Sequence, residues 1–505
     1  MSLSSPTSHR ASNFLTFTTQ MDLLSNKEDR SNGTTITIVT LIASVGYIAY
    51  TCSRRRDEKK SYPPFAQGGV LKHIEACTSA NYPWFLLDAA RQLNTRIFRL
   101  KLGTKVYAVG ESTTLRTILT DPLTTKPDLF YKTHEKVAGG PALNTTNGAA
   151  WHAKRKAVAP AFSSNHVKRM TKVALDKTEA WINEELLRRN DSSFDVAEEI
   201  LGIVLSALTV TAFEYEMPKE EMELYTSEMK LALIEYDQKT ATNPLRNLFG
   251  GLLPERRRAV AAVENMHQIV QRMMTEYRKK GSKIDGSLIQ LVMESDTFPT
   301  DKEKATELNN FLIAGHDTTG YSIAWILISL AKHSEEQLKL RIALRGMPRE
   351  NWSSCEELHN VIKEGMRLHP VGASIRTIGR EIATNKKNEV LPKGSICMLT
   401  FILLFRNPDV FDEPDSFLPS RWENPTREMI DAMQPFGLGR QNCVGQALAK
   451  AETFAIVARI IAEFDLTVEK DGTVDFFLTL KPVGTRLRAR KGLKAIQLLK
   501  QQDKM

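Results

Sequence analysis

The residue of this chain best placed to do chemistry is Cys443, in the loop Phe436-Gly437-Leu438-Gly439-Arg440-Gln441-Asn442-Cys443-Val444-Gly445. The next residues, Gln446-Ala447-Leu448-Ala449-Lys450-Ala451-Glu452, are strong helix formers, which places the sulfur at a helix N-terminus. Exposed N–H groups and the positive end of the helix dipole favour a thiolate there over a thiol. Glycines 437, 439 and 445 let the backbone turn tightly and approach a flat ligand closely. A thiolate held this way suits an iron. An isolated cysteine is more commonly a small buried hydrophobe, and it is the flanking residues that argue for chemistry here.

A second constellation interrupts an apolar helical pattern over residues 303–333, where Leu308, Phe311, Leu312, Ile323, Ile326, Leu327 and Leu330 recur at helical spacing. In its middle stands Ala314-Gly315-His316-Asp317-Thr318-Thr319. Gly315 costs about 1 kcal/mol of helix propensity relative to alanine, and small residues here leave room for a ligand. A threonine hydroxyl beside a carboxylate can pass protons to a bound ligand, although such a hydroxyl can equally bond back to its own helix. His316 is read as a helix-surface or pocket residue, since a single imidazole is poor evidence for a metal site. Glu364 and Arg367, spaced i, i+3, can form a bidentate pair on one helix face. Trp151 and Arg155, spaced i, i+4, present an indole N–H and a guanidinium suited to a carboxylate.

Taken together these motifs resemble the cytochrome P-450 family of haem-thiolate monooxygenases, whose loop reads F-x-x-G-x-R-x-C-x-G. The chain matches it at Phe436, Gly439, Cys443 and Gly445. It departs at Gln441, where the family has arginine, with Arg440 one residue earlier. Residues 314–319 are similar to the family's A-G-x-[DE]-T-[TS]. Leu368-His369-Pro370 follows Arg367, and Phe417-Leu418-Pro419-Ser420-Arg421-Trp422 resembles the segment whose arginine joins the Glu364–Arg367 pair. The likeness runs from about residue 60 to the C-terminus.

The resemblance implies a haem b with Cys443 as axial ligand to the iron. It implies cofactor contacts from Phe436, Trp151, Arg155, Arg376 and Arg440, and a structural role for Glu364, Arg367 and Arg421. Asp317 and Thr318 would organise proton delivery while one atom of dioxygen enters a lipophilic substrate. Two electrons would come from NADPH through a separate protein, an NADPH-cytochrome P-450 reductase or another donor, docking on a basic surface that includes Lys154, Lys156, Arg440 and Lys450. One alternative is a haem-thiolate isomerase or dehydratase needing no external electrons, against which Thr318 counts. Another is a non-catalytic haem- or lipid-binding protein on a membrane.

The elements that must position these residues read as mainly α with small β-sheets. Long amphipathic stretches at 167–189, 193–236 and 256–280 are expected helices, and strand-like runs appear near 96–109, 372–404 and 471–490. No G-x-x-x-x-G-K-[ST] loop or G-x-G-x-x-G turn is present, so nucleotide-derived electrons must arrive from another chain. With 505 residues, 42% apolar and 25% charged, the composition is that of a globular protein and excludes a disordered or collagenous one. A formal charge of +9 over that length is weak evidence for nucleic acid, and no nucleic-acid partner is expected. Five cysteines without a C-x-x-C pair argue against disulfides and zinc, and place the main domain in a reducing compartment.

Residues 31–53 carry no charge and are long enough to cross a ~30 Å hydrocarbon core. The expected organisation is an N-terminal extension (1–33), a transmembrane anchor (34–52), a basic, proline-containing linker (53–65) and one haem domain (66–505). Arg54, Arg55, Arg56, Lys59 and Lys60 follow the span, which keeps the domain cytosolic on an endoplasmic reticulum membrane. The Ser- and Thr-rich, acid-free residues 1–21 also fit a plastid or mitochondrial transit peptide. The sequons at Asn144, Asn190 and Asn351 fall in the cytosolic part and are read as chance.

Overall fold

A computed structural model of the protein describes residues 60–492, apart from 103–104, 190–192, 242–245, 247–249 and 478. The extension, the 34–52 anchor and residues 53–59 of the linker lie outside the described residues.

Helices carry most of the described residues. The first are α1 (Val70–Thr78), α2 (Tyr82–Leu93), α3 (Ser112–Thr120) and α4 (Asp128–Ala138). They are followed by α5 (Gly148–Val158), α6 (Ser164–Trp181), α7 (Val196–Phe213), α8 (Lys219–Leu233), α9 (Pro254–Lys280) and α10 (Leu288–Glu294). Then come the 32-residue α11 (Asp301–Lys332), α12 (Ser334–Arg345), α13 (Glu356–Leu368), α14 (Phe401–Phe405), α15 (Arg427–Ala432) and α16 (Gln446–Glu463).

Four strands form one sheet in the order β1 (Ile97–Leu100), β2 (Val106–Val109), β7 (Ile396–Leu399), β4 (Ser374–Thr377). Only the β2–β7 pair is parallel, with Tyr107 opposite Cys397. Between β4 and β7 lies the small ladder β5 (Ile382–Ala383) and β6 (Val390–Leu391). A second sheet joins β3 (Ser193–Asp195), β11 (Arg486–Lys491) and β8 (Phe464–Lys470), beside the hairpin β9 (Thr473–Phe477) and β10 (Thr479–Val483).

The stretch expected as one helix over 193–236 is three elements. Residues 193–195 pair with β11, because Phe194 buries against Leu487 on that edge. Asp195 then caps α7, accepting from the N–H groups of Ala197 and Glu198 at 3.0 and 3.1 Å. Glu214 ends α7 in a left-handed conformation (φ 51°), and Pro218 precedes α8. Among the described helices α7 alone is long and apolar enough to cross a membrane, yet 72% of it is buried, as befits a core helix.

Helix α11 starts at a reciprocal cap. Thr300 Oγ1 accepts from the Glu303 N–H at 3.2 Å, and Glu303 Oε2 accepts from the Thr300 N–H at 3.1 Å. It then runs through the main core, burying Leu308, Leu312, Ile323, Ile326 and Leu327. Its glycines serve packing, contrary to the expectation that Gly315 opens space for a ligand. A Cβ at 315 would stand 2.9 Å from Leu208 Cδ2 on α7, and one at 320 would stand 2.6 Å from Leu201 Cδ2. Both glycines let α7 lie close against α11.

Candidate active site

The loop bearing Cys443 is shaped by two glycines in the left-handed region, Gly437 (φ 73°) and Gly439 (φ 72°). A Cβ on Gly439 would meet the Leu119 carbonyl oxygen at 2.5 Å, so the loop abuts the end of α3 only because that residue has no side chain. The Cys443 N–H donates to the Phe436 carbonyl at 2.9 Å, closing the loop. Helix α16 begins at Gln446 with Gly445 as its cap, so Cys443 stands two residues ahead of the cap rather than within the helix's first turn. Burial pushes the thiol above its ordinary range, against the opposing Gly445 N–H and the Arg155 charge. The helix terminus therefore does not by itself lower the thiol, contrary to the expectation from the sequence.

Cys443 is open to a cavity of about 230 Å³, which it helps to line. Thr318, Thr319 and Ser322 of α11 form one wall. Leu119, Val371, Phe401, Phe436 and Leu438 supply apolar lining, and Gln441, Cys443, Ala449 and Thr453 belong to the wall built by the loop and α16. His369 also lines the cavity, stacked on Trp325 with ring centroids 4.2 Å apart. Its burial, with Arg406, Arg367 and Lys332 nearby, pushes its pKa down to about 3, and the imidazole is neutral.

Thr318 is exposed towards this cavity while its hydroxyl donates to the Ala314 carbonyl at 2.8 Å. Asp317 does not join it. One residue along a helix is a turn of roughly 100°, and Asp317 is buried on another face, outside the cavity lining. Its Oδ2 lies 3.7 Å from Lys481 Nζ on β10, and its Oδ1 lies 3.3 Å from His316 Nδ1 without hydrogen-bond geometry. Burial alone would raise the Asp317 carboxyl, but His316, Lys481 and the more distant Lys230 hold it below the usual carboxylate range.

A second, polar pocket shares Leu119, Arg376 and Gln441 with the first and adds Asn147, Trp151, His152 and Arg440. Arg376 is buried on β4 and donates to the Tyr131 hydroxyl at 3.3 Å and the Ile375 carbonyl at 2.9 Å. Arg440 is exposed and reaches the same pocket as Gln441. Arg155 lines neither space. It donates to the Asn442 carbonyl at 2.8 Å and to Asn442 Oδ1 at 3.0 Å, gripping the loop one residue before the cysteine.

Away from both spaces, Glu364, Arg367 and Arg421 come together. Arg367 forks onto Glu364 at 2.8 and 2.9 Å, and Arg421 Nε donates to the same carboxylate at 3.0 Å. The sequence did not single out two further donors to it, Trp422 Nε1 and the Leu418 N–H, both at 2.9 Å. The assignment of Lys154 to a basic docking surface is corrected. It is buried, and Nζ lies 3.1 Å from the buried carboxylate of Glu307. Lys156, Arg440 and Lys450 are exposed.

Residues 69–489 match the family model described as Cytochrome P450. Among curated proteins the chain is similar to Cytochrome P450 4A7 of Oryctolagus cuniculus, 26% identical over 65% of this chain and 69% of that protein. It is 26% identical to Cytochrome P450 4F8 of Homo sapiens over 68% of this chain and 72% of the relative. Taurochenodeoxycholic 6 alpha-hydroxylase of Sus scrofa is 25% identical over 65% and 70% of the respective chains.

Proposed function

The chain belongs to the cytochrome P450 family of haem monooxygenases, and on that premise we propose that Cys443 would hold the iron of its haem and that the protein oxygenates a lipophilic substrate. One observation carries this reading: the sulfur of Cys443 and the hydroxyl-bearing face of α11 border the same cavity.

The residues present fit the group. A sulfur donor on one wall suits an iron, the apolar lining suits a macrocycle, and the adjoining pocket offers Arg376, Arg440, the Trp151 indole and the Gln441 amide to carboxylate edges. When bound, haem supplies a redox-active iron at which dioxygen is activated, with the thiolate pushing electron density towards O–O cleavage. The loop holds Cys443 by the Phe436 carbonyl and positions it through Arg155 on Asn442. Thr318 is the proton-carrying group at the cavity wall, able to accept at Oγ1 from the cavity while it donates to Ala314. Asp317 lies behind that wall, so its contribution is to the field around α11 rather than direct contact with a ligand.

Electrons are proposed to come from NADPH through a separate reductase meeting the exposed Lys156, Arg440 and Lys450. The charge asymmetry around residues 34–52 supports a single-pass anchor in the endoplasmic reticulum membrane with the haem domain in the cytosol. One relative is named as a hydroxylase, and an apolar cavity accords with a lipophilic substrate.

Two experiments test the roles. Thr318→Ala should leave haem binding intact while product formation falls on the order of 10²-fold, the lower end of what general acid catalysis contributes, with NADPH electrons diverted to hydrogen peroxide. The ratio of product formed to NADPH consumed is the measurement, and an unchanged ratio assigns Thr318 to packing. At the polar pocket, Arg376→Ala should speed haem loss roughly tenfold, the scale of a lost charge-assisted hydrogen bond. The exposed Arg440 should matter less and Gln441 least. Haem transfer rates to an acceptor protein rank the three, and loss fastest from Arg440→Ala would reverse the assignment.

A further inference from the structure

The buried pair Lys154–Glu307 is used by nothing in the mechanism above. Glu307 is wholly buried on α11, and its Oε1 accepts the Leu143 N–H at 3.0 Å while Oε2 faces Lys154. Lys154 Nζ sits 4.7 Å from the Phe298 ring centroid. A third charge stands close by: Lys126 donates to the carbonyls of Leu143 and Thr146 at 2.9 and 3.1 Å. The Leu143 peptide is thus held at its N–H by the acid and at its carbonyl by a lysine.

Removing two charges from water is seldom repaid in stability by their attraction, so a buried pair is better understood through what it orients. Helix α5 shows what that is. Its successive residues Lys154 and Arg155 reach two different elements, α11 through Glu307 and the cysteine loop through Asn442, while Trp151 one turn earlier borders the polar pocket. Apolar contacts alone tolerate small sliding and rotation of a helix, whereas a charged pair at 3.1 Å does not. Glu307 also shares a face of α11 with Phe311, Ala314 and Thr318, at i, i+4, i+7 and i+11, about 16 Å from Thr318 along the axis.

We infer that Lys154 and Glu307 are positioning residues that set the register of α5 on α11, and through Arg155 and Asn442 hold the cysteine loop in its haem-binding geometry. This rests on Cys443 being the haem ligand.

The test uses the full-length haem-loaded protein and two variants. Glu307→Asp keeps both charges but withdraws the carboxylate by one methylene. Lys154→Met with Glu307→Leu removes both charges while filling the space. Both weaken or remove the acceptor of the buried Leu143 N–H and are expected to lower the melting temperature modestly, but to lose haem to an apomyoglobin trap about tenfold faster than that lowering accounts for, as supporting residues around a metal ligand typically do, and to show a weakened thiolate-type band in the reduced carbon monoxide spectrum. Wild-type haem retention in both variants overturns the inference, as does loss that merely tracks a lowered melting temperature. If the double variant does not fold, Glu307→Asp alone decides. Absence of the thiolate-type band in the wild type overturns the Cys443 assignment and this inference together, whereas a normal wild-type band with unaffected variants overturns this inference alone.

Discussion

Cys443→Ser is expected to abolish the thiolate-type band of the reduced, carbon monoxide-bound protein and all oxygenase activity with it. A hydroxyl does not supply the electron donation of a thiolate, and Cys443→His would at best shift the Soret band to the position of histidine ligation. No other described cysteine can substitute. Cys355 and Cys397 are buried in separate cores, where burial pushes their thiols up to about 11 and about 12, and Cys77 lies beneath the first sheet at about 12. None of the three borders the cavity. The spectrum of the purified variant decides the matter, and a wild-type band would place the ligand elsewhere.

The second large effect is on stability and concerns Glu364. Its carboxylate accepts from Arg367 Nε and Nη2, Arg421 Nε, Trp422 Nε1 and the Leu418 N–H, and the side chains of Glu364 and Arg367 are 0% exposed. Glu364→Gln keeps the shape but turns an N–H₂ group towards donors that need an acceptor, and leaves guanidinium charge without its counter-ion. Losing one partner of a buried pair costs about 3–5 kcal/mol, against about 5–15 kcal/mol for the net stability of a typical protein. A marked fall in melting temperature and in the yield of folded protein is therefore expected. Because the carboxylate borders neither cavity, the protein that does fold should keep an unchanged haem spectrum. A wild-type melting curve for Glu364→Gln would show that the network contributes little.

Much of the site could be read from residue spacing. The apolar period placed a helix over 303–333, and α11 spans Asp301–Lys332. The i, i+3 pair on α13 and the arginine 54 residues beyond Arg367 meet as the motifs implied. What spacing did not convey is direction. Asp317 and Thr318 are neighbours in the chain, yet a single helical step sends one towards Lys481 and the other towards the cavity. Lys154 was assigned to the basic docking surface that the resemblance implied, and its acid lies 153 residues away on a helix otherwise marked by apolar periodicity. Gly315 belonged to a motif associated with a ligand, but the absence of its side chain matters to Leu208 on the far face. Arg155 was expected to hold a carboxylate of the cofactor and holds a backbone carbonyl of the cysteine loop. In each case a contact distant in sequence decided which way a side chain turned.

Between α14 and the short turn at Pro419 the chain has no helix or strand, yet several carbonyls along it are held by two arginines. Arg367 takes those of Phe405, Pro414 and Ser416 at 2.7–2.9 Å, and Arg421 takes those of Asp412 and Glu413 at 2.7 and 3.2 Å. Two side chains thus do for this segment what a neighbouring strand does for a sheet edge. Residues 406–418 are coil in name but inherit the rigidity of the core that anchors those arginines. For anyone grafting a tag, a protease site or an insertion into this chain, that makes them one of the poorest places to cut.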